Sequence, residues 1–208
     1  MTSRLHVGLD FDNTIICYDE VFLSAARTRR LVPAGFAADK QAIREAVRRK
    51  RDGEIAWQRL QSYAYAQGIG RAVLHEGVDH FLRRCRSEGV RVSIVSHKTE
   101  FGHFNSEGPN LREAASSWMH AAGFFSQDGL GLRHEDVFWE STRAEKLERI
   151  ASLRCTHFVD DLFEVLTDPA FPEGVVRLLF ARGSVYPPSQ LYVACRSWSD
   201  VESAVFGD

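Results

Sequence analysis

The sequence predicts an α/β fold: a Rossmann-like open parallel sheet with helices on both faces, and a small α-helical cap inserted after the first strand. Three observations support this prediction. Apolar runs alternate with helical patterns along most of the 208 residues, several of the runs are almost continuously apolar, and one long helical stretch interrupts the alternation. Continuously apolar strands are typical of parallel sheets that are covered on both faces.

Five runs are predicted to be strands, because they are rich in the β-branched and aromatic residues that pack well on a pleated surface. They are LHVGLDF (5–11), VRVSIVS (90–96), DVFWE (136–140), THFVDD (156–161) and VVRLLF (175–180).

Apolar residues at helical spacing predict the helices that connect these strands. Three stripes stand out: Val78, Phe81, Leu82 and Cys85; Leu111, Ala115, Trp118, Met119 and Ala122; and Leu147, Ile150 and Ala151. Thr142 followed by Glu145 has the pattern of a capping box, which predicts where the third of these helices begins.

The long helical stretch lies between the first two predicted strands. Residues 17–77 contain no convincing strand, and they are too many for a single crossover connection. Within them, AADKQAIREAVRRKRDG and EIAWQRLQSYAYAQG each have the pattern of a helix closed by glycine. We therefore predict a helical cap subdomain over 17–77, inserted into a core domain formed by 1–16 and 78–208.

Composition narrows the class of partner. The net charge of −2 gives no electrostatic reason to expect nucleic acid or a membrane surface, and no run approaches the roughly 18 apolar residues of a membrane span. The N-terminal MTSRLHVGLD lacks the apolar region of a signal peptide, and the four cysteines show no CxxC or CxxH spacing. We expect a cytoplasmic protein with reduced thiols that acts on a small molecule.

Two carboxylates end the first predicted strand. Asp10 and Asp12 occupy alternate positions, so in an extended chain both side chains face the same side. Two such charges about 4 Å apart repel by roughly 4 kcal/mol at an effective dielectric constant near 20. A nearby cation would offset this repulsion.

Other polar side chains follow the neighbouring strands. Ser96 ends the second predicted strand, Asp160 and Asp161 end the fourth, and Lys146 lies in the first turn of the capped helix. Ligands of open α/β sheets bind beyond the carboxyl ends of the strands, so these groups are expected to converge. Mg²⁺ prefers carboxylate and water oxygens, and the sequence therefore predicts a magnesium site at this edge.

These residues resemble the four motifs of the haloacid dehalogenase (HAD) superfamily. LDFDNT (9–14) matches its D-x-D-x-T motif, and VSIVS (92–96) resembles its second motif. Lys146 resembles the third motif, and HFVDD (157–161) the fourth in its double-Asp form. Their order and spacing match along the whole chain, and the predicted helical insertion lies where that superfamily carries a C1-type cap.

The resemblance implies a phosphatase that works through an aspartyl-phosphate. Asp10 would be the nucleophile, and Asp12 the general acid to the leaving oxygen and then the general base to water. Ser96 and Lys146 would bind the phosphoryl oxygens. The dehalogenases of the superfamily lack an acid at the position of Asp12, which favours phosphatase chemistry.

The resemblance also implies how Mg²⁺ is held. Its ligands would be the Asp10 carboxylate, the Asp12 backbone carbonyl and an acid of the fourth motif. We favour Asp161 as that acid, because Gly-Asp variants of the motif place the metal-binding residue second; Asp160 would then support the site through water or Lys146.

Several further residues are weaker candidates for contact with the substrate. His97 and Lys98 follow Ser96 and are possible substrate contacts, and His103 and Asn105 lie in a long polar loop that such contacts could use. The basic run from Arg44 to Arg51 is either a solvated helix face or a surface that attracts anions.

The leading hypothesis is a Mg²⁺-dependent phosphatase acting on a small phosphorylated metabolite, of the sugar phosphate or nucleotide class. One alternative is a phosphotransferase or phosphatase that acts on a macromolecular phosphate. The other is a catalytically silent binding module on the same fold. A receiver-like module is disfavoured, because the third predicted strand ends FWES (138–141) with no Asp to accept a phosphate.

Overall fold

The computed structural model describes residues 5–102, 108–182 and 186–207, so His103 and Asn105 lie outside the described residues. The chain folds into two compact units. The first comprises Met1–Ile16, Leu74–Lys98 and Gly123–Asp208, and the second comprises Cys17–Val73 and Thr99–Ala122.

The secondary structure follows the predicted alternation of strands and helices. In chain order the elements are β1 (His6–Leu9), β2 (Ile16–Cys17), α1 (Asp19–Thr28), α2 (Lys40–Arg48), α3 (Gly53–Tyr65), β3 (Val73–Leu74), α4 (Val78–Ser87), β4 (Arg91–His97), α5 (Leu111–Ala121), β5 (Val137–Glu140), α6 (Arg143–Leu153), β6 (His157–Asp160), α7 (Phe163–Leu166), β7 (Val176–Phe180), β8 (Val193–Cys195) and α8 (Trp198–Phe206). Short 3-10 turns occur at Ile69–Arg71 and His134–Asp136.

The first unit is built on a six-stranded sheet with the order β5-β4-β1-β6-β7-β8. Every neighbouring pair of strands is parallel. β1 therefore lies between β4 and β6, which explains why its residues are all buried. The predicted Rossmann-like parallel sheet is confirmed, and β8 is an edge strand that the sequence does not predict.

Helices cover both faces of this sheet. α4 packs against β4 and α8, whereas α6 packs against β4 and β5, and α7 against β6 and β7. Ile150 of α6 and Leu166 of α7 share one buried core with Phe158 of β6. Trp198 of α8 packs its ring against Phe180 of β7, with ring centroids 5.7 Å apart.

The predicted stripe of α6 needs one correction. Leu147 and Ile150 are buried as expected, but Ala151 is exposed and Lys146 is buried in its place. Lys146 and Ile150 are four residues apart and therefore lie on the same face of the helix. The sequence alone does not place Lys146 on the buried face, because lysine is rarely buried without a charged partner and its partners are not evident from the local pattern.

The second unit is helical. Trp57 of α3 stacks on Phe22 of α1, with ring centroids 4.9 Å apart, and both side chains are almost fully buried. The indole N–H of Trp118 in α5 donates to the Ala72 carbonyl over 3.1 Å. The helical unit thus consists of Cys17–Val73 together with Thr99–Ala122, whereas the sequence predicts a cap over 17–77 alone.

The basic run is mostly exposed. Arg48, Arg49, Lys50 and Arg51 are exposed, and Arg44 is half-buried. Arg48 pairs with Glu54 over 2.6 Å. Among the helices in the described part of the chain, none combines the length and the hydropathy needed to cross a membrane.

Candidate active site

A buried lysine forms the centre of the site. α6 begins with the predicted capping box, in which the Thr142 hydroxyl accepts from the Glu145 backbone and the Glu145 carboxylate accepts from the Thr142 backbone. This cap fixes the first turn, and Lys146 in that turn is only 1% exposed. Its ammonium donates to Asp10 Oδ1 and to Asp160 Oδ2, each over 2.7 Å.

Burial and neighbouring charges shift the pKa values of Lys146 and Asp160. Burial on its own would lower the pKa of Lys146, but the Asp10 and Asp160 carboxylates outweigh it, and the pKa is held above its ordinary value. Burial raises the pKa of Asp160 to about 6; the Lys146 charge opposes this rise and the Asp10 charge adds to it. Lys146 therefore carries a fixed positive charge between the ends of β1 and β6.

A tight turn after β1 brings Thr14 back to the carboxylates. The backbone N–H groups of Ile15 and Ile16 both donate to the Phe11 carbonyl, over 3.0 and 3.1 Å. Asn13 takes the left-handed conformation, with φ of 64°, which an asparagine tolerates better than most residues. Thr14 is consequently fully buried beside Asp10.

Thr14 connects three parts of the first unit. Its hydroxyl is 3.4 Å from Asp10 Oδ2 and accepts the backbone N–H of Asp161 over 3.1 Å. Its carbonyl accepts the indole N–H of Trp198 over 3.2 Å. One residue thus joins the turn after β1 to the turn after β6 and to α8.

Three carboxylates of this site could hold a metal ion. Ligand oxygens of Asp10, Asp160 and Asp161 lie within 4.8 Å of one another. Asp160 already accepts from Lys146 through Oδ2 and from the Leu162 N–H through Oδ1, over 2.7 and 2.9 Å. Asp161 is only partly buried. These hard oxygen donors fit Mg²⁺.

Asp12 faces a second buried lysine. The Lys98 ammonium donates to Asp12 Oδ2 over 2.7 Å, and the Lys98 side chain is 2% exposed. The sequence offers Lys98 as a possible substrate contact and says nothing of this pair. No local signal could have indicated it, because the two residues are 86 positions apart.

Ser96 and His97 lie at the same end of β4. Ser96 is 1% exposed and stands next to Trp139 in the register of β4 and β5. β4 continues one residue further than predicted, to His97, whose Nε2 lies 2.9 Å from the Ser141 carbonyl. His97 therefore contacts the turn between β5 and α6.

Comparison of the sequence with family models and with curated proteins finds no match. Solved structures, in contrast, resemble the chain along nearly its whole length. The structure of protein tyrosine kinase A from Mycobacterium tuberculosis has a TM-score of 0.66 and 18% identity, covering 99% of this chain and 100% of that one.

Two hydrolases give similar values. A haloacid dehalogenase-like family hydrolase from Streptococcus pneumoniae has a TM-score of 0.60 and 17% identity, with 100% of both chains covered. A HAD family hydrolase from Deinococcus radiodurans, solved with bound phosphate and sodium, has a TM-score of 0.56 and 16% identity, covering 96% of this chain and 93% of that one. The chain therefore has the fold of the haloacid dehalogenase-like hydrolases.

Proposed function

We propose that this protein is a Mg²⁺-dependent phosphatase that hydrolyses a small phosphomonoester, of the sugar phosphate or nucleotide class, through an aspartyl-phosphate on Asp10. The observation that carries the proposal is the buried Lys146 ammonium, bound to both Asp10 and Asp160 at the carboxyl edge of the sheet. A site with several acids and a fixed cation suits the transfer of a phosphoryl group, whose charge must be offset as it moves.

The reaction has two steps. In the first, a carboxylate oxygen of Asp10 attacks phosphorus while the bond from phosphorus to the ester oxygen breaks, and Asp12 gives its proton to that departing oxygen. In the second, water attacks the phosphorus of the aspartyl-phosphate, and Asp12 takes a proton from this water. The bond to Asp10 then breaks, and inorganic phosphate leaves.

The other site residues bind and orient the phosphoryl group. Lys146, and Ser96 at the end of β4, would hold the phosphoryl oxygens. Asp10, Asp161 and the Asp12 backbone carbonyl would hold Mg²⁺, with Asp160 in support. When bound, Mg²⁺ offsets the negative charge that the carboxylates and the phosphate bring together.

The first test measures phosphate release from p-nitrophenyl phosphate with Mg²⁺ and with EDTA. We expect turnover only with Mg²⁺, and we expect Asp10→Asn to abolish it because the amide is not a nucleophile. Asp79→Asn is the matched control, because Asp79 is an exposed acid in the first turn of α4. A wild-type protein that stays inert across a broad panel of phosphorylated metabolites with Mg²⁺ would contradict the proposal.

A second candidate is a phosphotransferase or phosphatase that acts on a macromolecular phosphate. It is favoured by the similarity to the solved structure of a protein tyrosine kinase, at a TM-score of 0.66. Incubation with γ-labelled ATP and a tyrosine-containing peptide separates the two candidates. Label transferred to the peptide supports a phosphotransferase, and phosphate released from the same peptide phosphorylated on tyrosine supports a macromolecular phosphatase. Activity toward small phosphomonoesters alone supports the leading proposal. A silent binding module would bind orthophosphate in calorimetry and give neither product.

A further inference from the structure

We infer that Lys98 is a positioning residue that orients Asp12 for proton transfer. The contribution of Lys98 to the rate should therefore depend on how much the leaving group needs a proton. This inference rests on the proposed function, since it assigns Asp12 the acid and base roles of that reaction. It differs from the expectation that Lys98 contacts the substrate.

The backbone of Lys98 is held by the sheet. Its N–H donates to the Glu140 carbonyl over 2.9 Å, which continues the pairing of β4 with β5 one residue beyond the end of β4. A side chain that starts from a strand of a central sheet has less positional freedom than one on a loop. Lys98 is therefore a suitable fixed point for orienting a neighbour.

The side chain of Lys98 is enclosed as well. It is 2% exposed, and its ammonium lies 5.8 Å from the centroid of the Phe11 ring. Phe11 is fully buried and meets the Trp139 ring edge to face, with centroids 5.4 Å apart. These rings limit where the ammonium can lie, and it lies 2.7 Å from Asp12 Oδ2.

Asp12, in contrast, stands on the turn that follows β1. β1 ends at Leu9, and Asp12 pairs with Ile16 through an isolated bridge outside the sheet strands. Its side chain is 17% exposed, so packing restrains it less than it restrains Asp10, which is 7% exposed. The bond from Lys98 holds Oδ2 of Asp12, which leaves Oδ1 to carry the proton given in the first step and to receive the proton taken from water in the second.

Proton transfer is sensitive to the position of this oxygen. A general acid or base must lie within hydrogen-bond reach of the atom it serves, at about 2.6–3.2 Å. A phenolate leaving group benefits from a proton, whereas 2,4-dinitrophenolate departs without one. Loss of the Lys98 restraint should therefore slow the hydrolysis of phenyl phosphate more than that of 2,4-dinitrophenyl phosphate.

The test compares kcat/KM for these two esters, with Mg²⁺, in the wild type and in Lys98→Met. We expect a loss of about 10²-fold with phenyl phosphate, the size of a general-acid contribution, and a much smaller loss with the dinitrophenyl ester. Lys98→Arg should recover part of the phenyl phosphate activity. Lys50→Met is the matched control, because Lys50 is exposed, and it should leave both values unchanged.

A double-variant cycle checks that Lys98 acts through Asp12. In an Asp12→Asn background, Lys98→Met should cause no further loss with phenyl phosphate. A burst of one dinitrophenolate per enzyme is expected in Lys98→Met, because the second step also needs Asp12 and becomes slower than the first.

Three outcomes overturn the inference. An equal loss with both esters would show a structural or substrate-binding role for Lys98, as would an effect that persists in Asp12→Asn. No loss with either ester would show that Asp12 needs no such restraint. If Lys98→Met fails to fold by circular dichroism, the same comparison is made with Lys98→Gln, which also removes the charge but keeps a polar side chain. If the wild type hydrolyses neither these esters nor any compound of the metabolite panel, the proposed function itself has failed.

Discussion

Thr14 shows how one side chain can organise a site. It carries no charge, yet its hydroxyl contacts Asp10 and the backbone of Asp161, and its carbonyl receives the Trp198 indole. The D-x-D-x-T pattern indicates a threonine here, but two of its three partners, Asp161 and Trp198, come from distant parts of the sequence. Only the assembled sheet reveals why a hydroxyl is needed at this position.

Replacing Thr14 by valine keeps the shape of the side chain and removes its hydroxyl. The Asp161 N–H then has no acceptor at that point, which should lower the free energy of unfolding by about 1–3 kcal/mol. Urea denaturation measures the change, and Thr14→Ser, which retains the hydroxyl, should recover most of it. Equal stabilities of the valine and serine variants would contradict the role of the hydroxyl.

At the scale of elements, the burial of each strand decides how much of it the sequence reveals. The inner strands β1, β6 and β7 lie within the apolar runs that predict them, and β4 extends one residue beyond its run, to His97. β8 is different, because Val193 and Ala194 are exposed and only Cys195 is buried. Its place in the sheet depends on hydrogen bonding to β7. An apolar pattern in the sequence cannot indicate such hydrogen bonding.

Apolar patterning, which does not indicate long-range contacts, also determines which helix and site residues can be predicted. The stripe of α4 is buried as predicted, since a helix that packs on a sheet must be apolar on one face. Lys146 was predicted as a site residue but not as a core residue, because its burial depends on Asp10, 136 positions away. The grouping of Thr99–Ala122 with the helical unit likewise depends on contacts between segments far apart in sequence.

One ring couples β1 to both β4 and α6. His6 of β1 is 6% exposed, and its Nδ1–H donates to the Leu153 carbonyl over 2.9 Å. Its Nε2 accepts from the Ser93 hydroxyl, also over 2.9 Å. Burial lowers the pKa of His6 below 6.5, and the charge of Arg91 lowers it further. The folded protein therefore holds this ring in its neutral form.

This lowered pKa predicts a loss of stability in acid. Between about pH 6.5 and the lowered pKa of the folded state, the unfolded chain binds a proton on His6 more readily than the folded chain does, so the free energy of unfolding falls as pH falls. Each such proton contributes at most about 1.4 kcal/mol per pH unit. Urea denaturation at pH 7.5 and 5.5 measures this change in the free energy of unfolding, which should be smaller in His6→Gln than in the wild type. An equal change in both proteins would show that the pKa of His6 is the same in the folded and unfolded states.

At the scale of the whole molecule, the cysteines differ in their surroundings. All four are free. Cys85, Cys155 and Cys195 are buried in the first unit, and burial raises the pKa of each thiol to about 12. Cys17 is partly exposed and belongs to the second unit. Because the thiolate is the reactive form, the three buried thiols should be inert in the folded protein.

Titration with a thiol-specific disulfide reagent at pH 8 tests this expectation. Native protein should show fast reaction of Cys17 alone, and all four thiols should react once guanidinium unfolds the chain. Cys17→Ser should remove the fast phase and leave the rest unchanged. Fast reaction of more than one thiol in the native protein would mean that the buried cysteines become exposed on the timescale of the reagent.

The central place of β1 has a consequence for synthesis of the chain on the ribosome. β1 is made before both of its neighbours in the sheet, β4 and β6, which end at His97 and Asp160. Its apolar residues therefore have to wait for most of the chain before both edges are paired. Such long-range pairing slows folding and leaves an aggregation-prone segment exposed in the nascent protein. We therefore expect chaperones to bind β1 during synthesis.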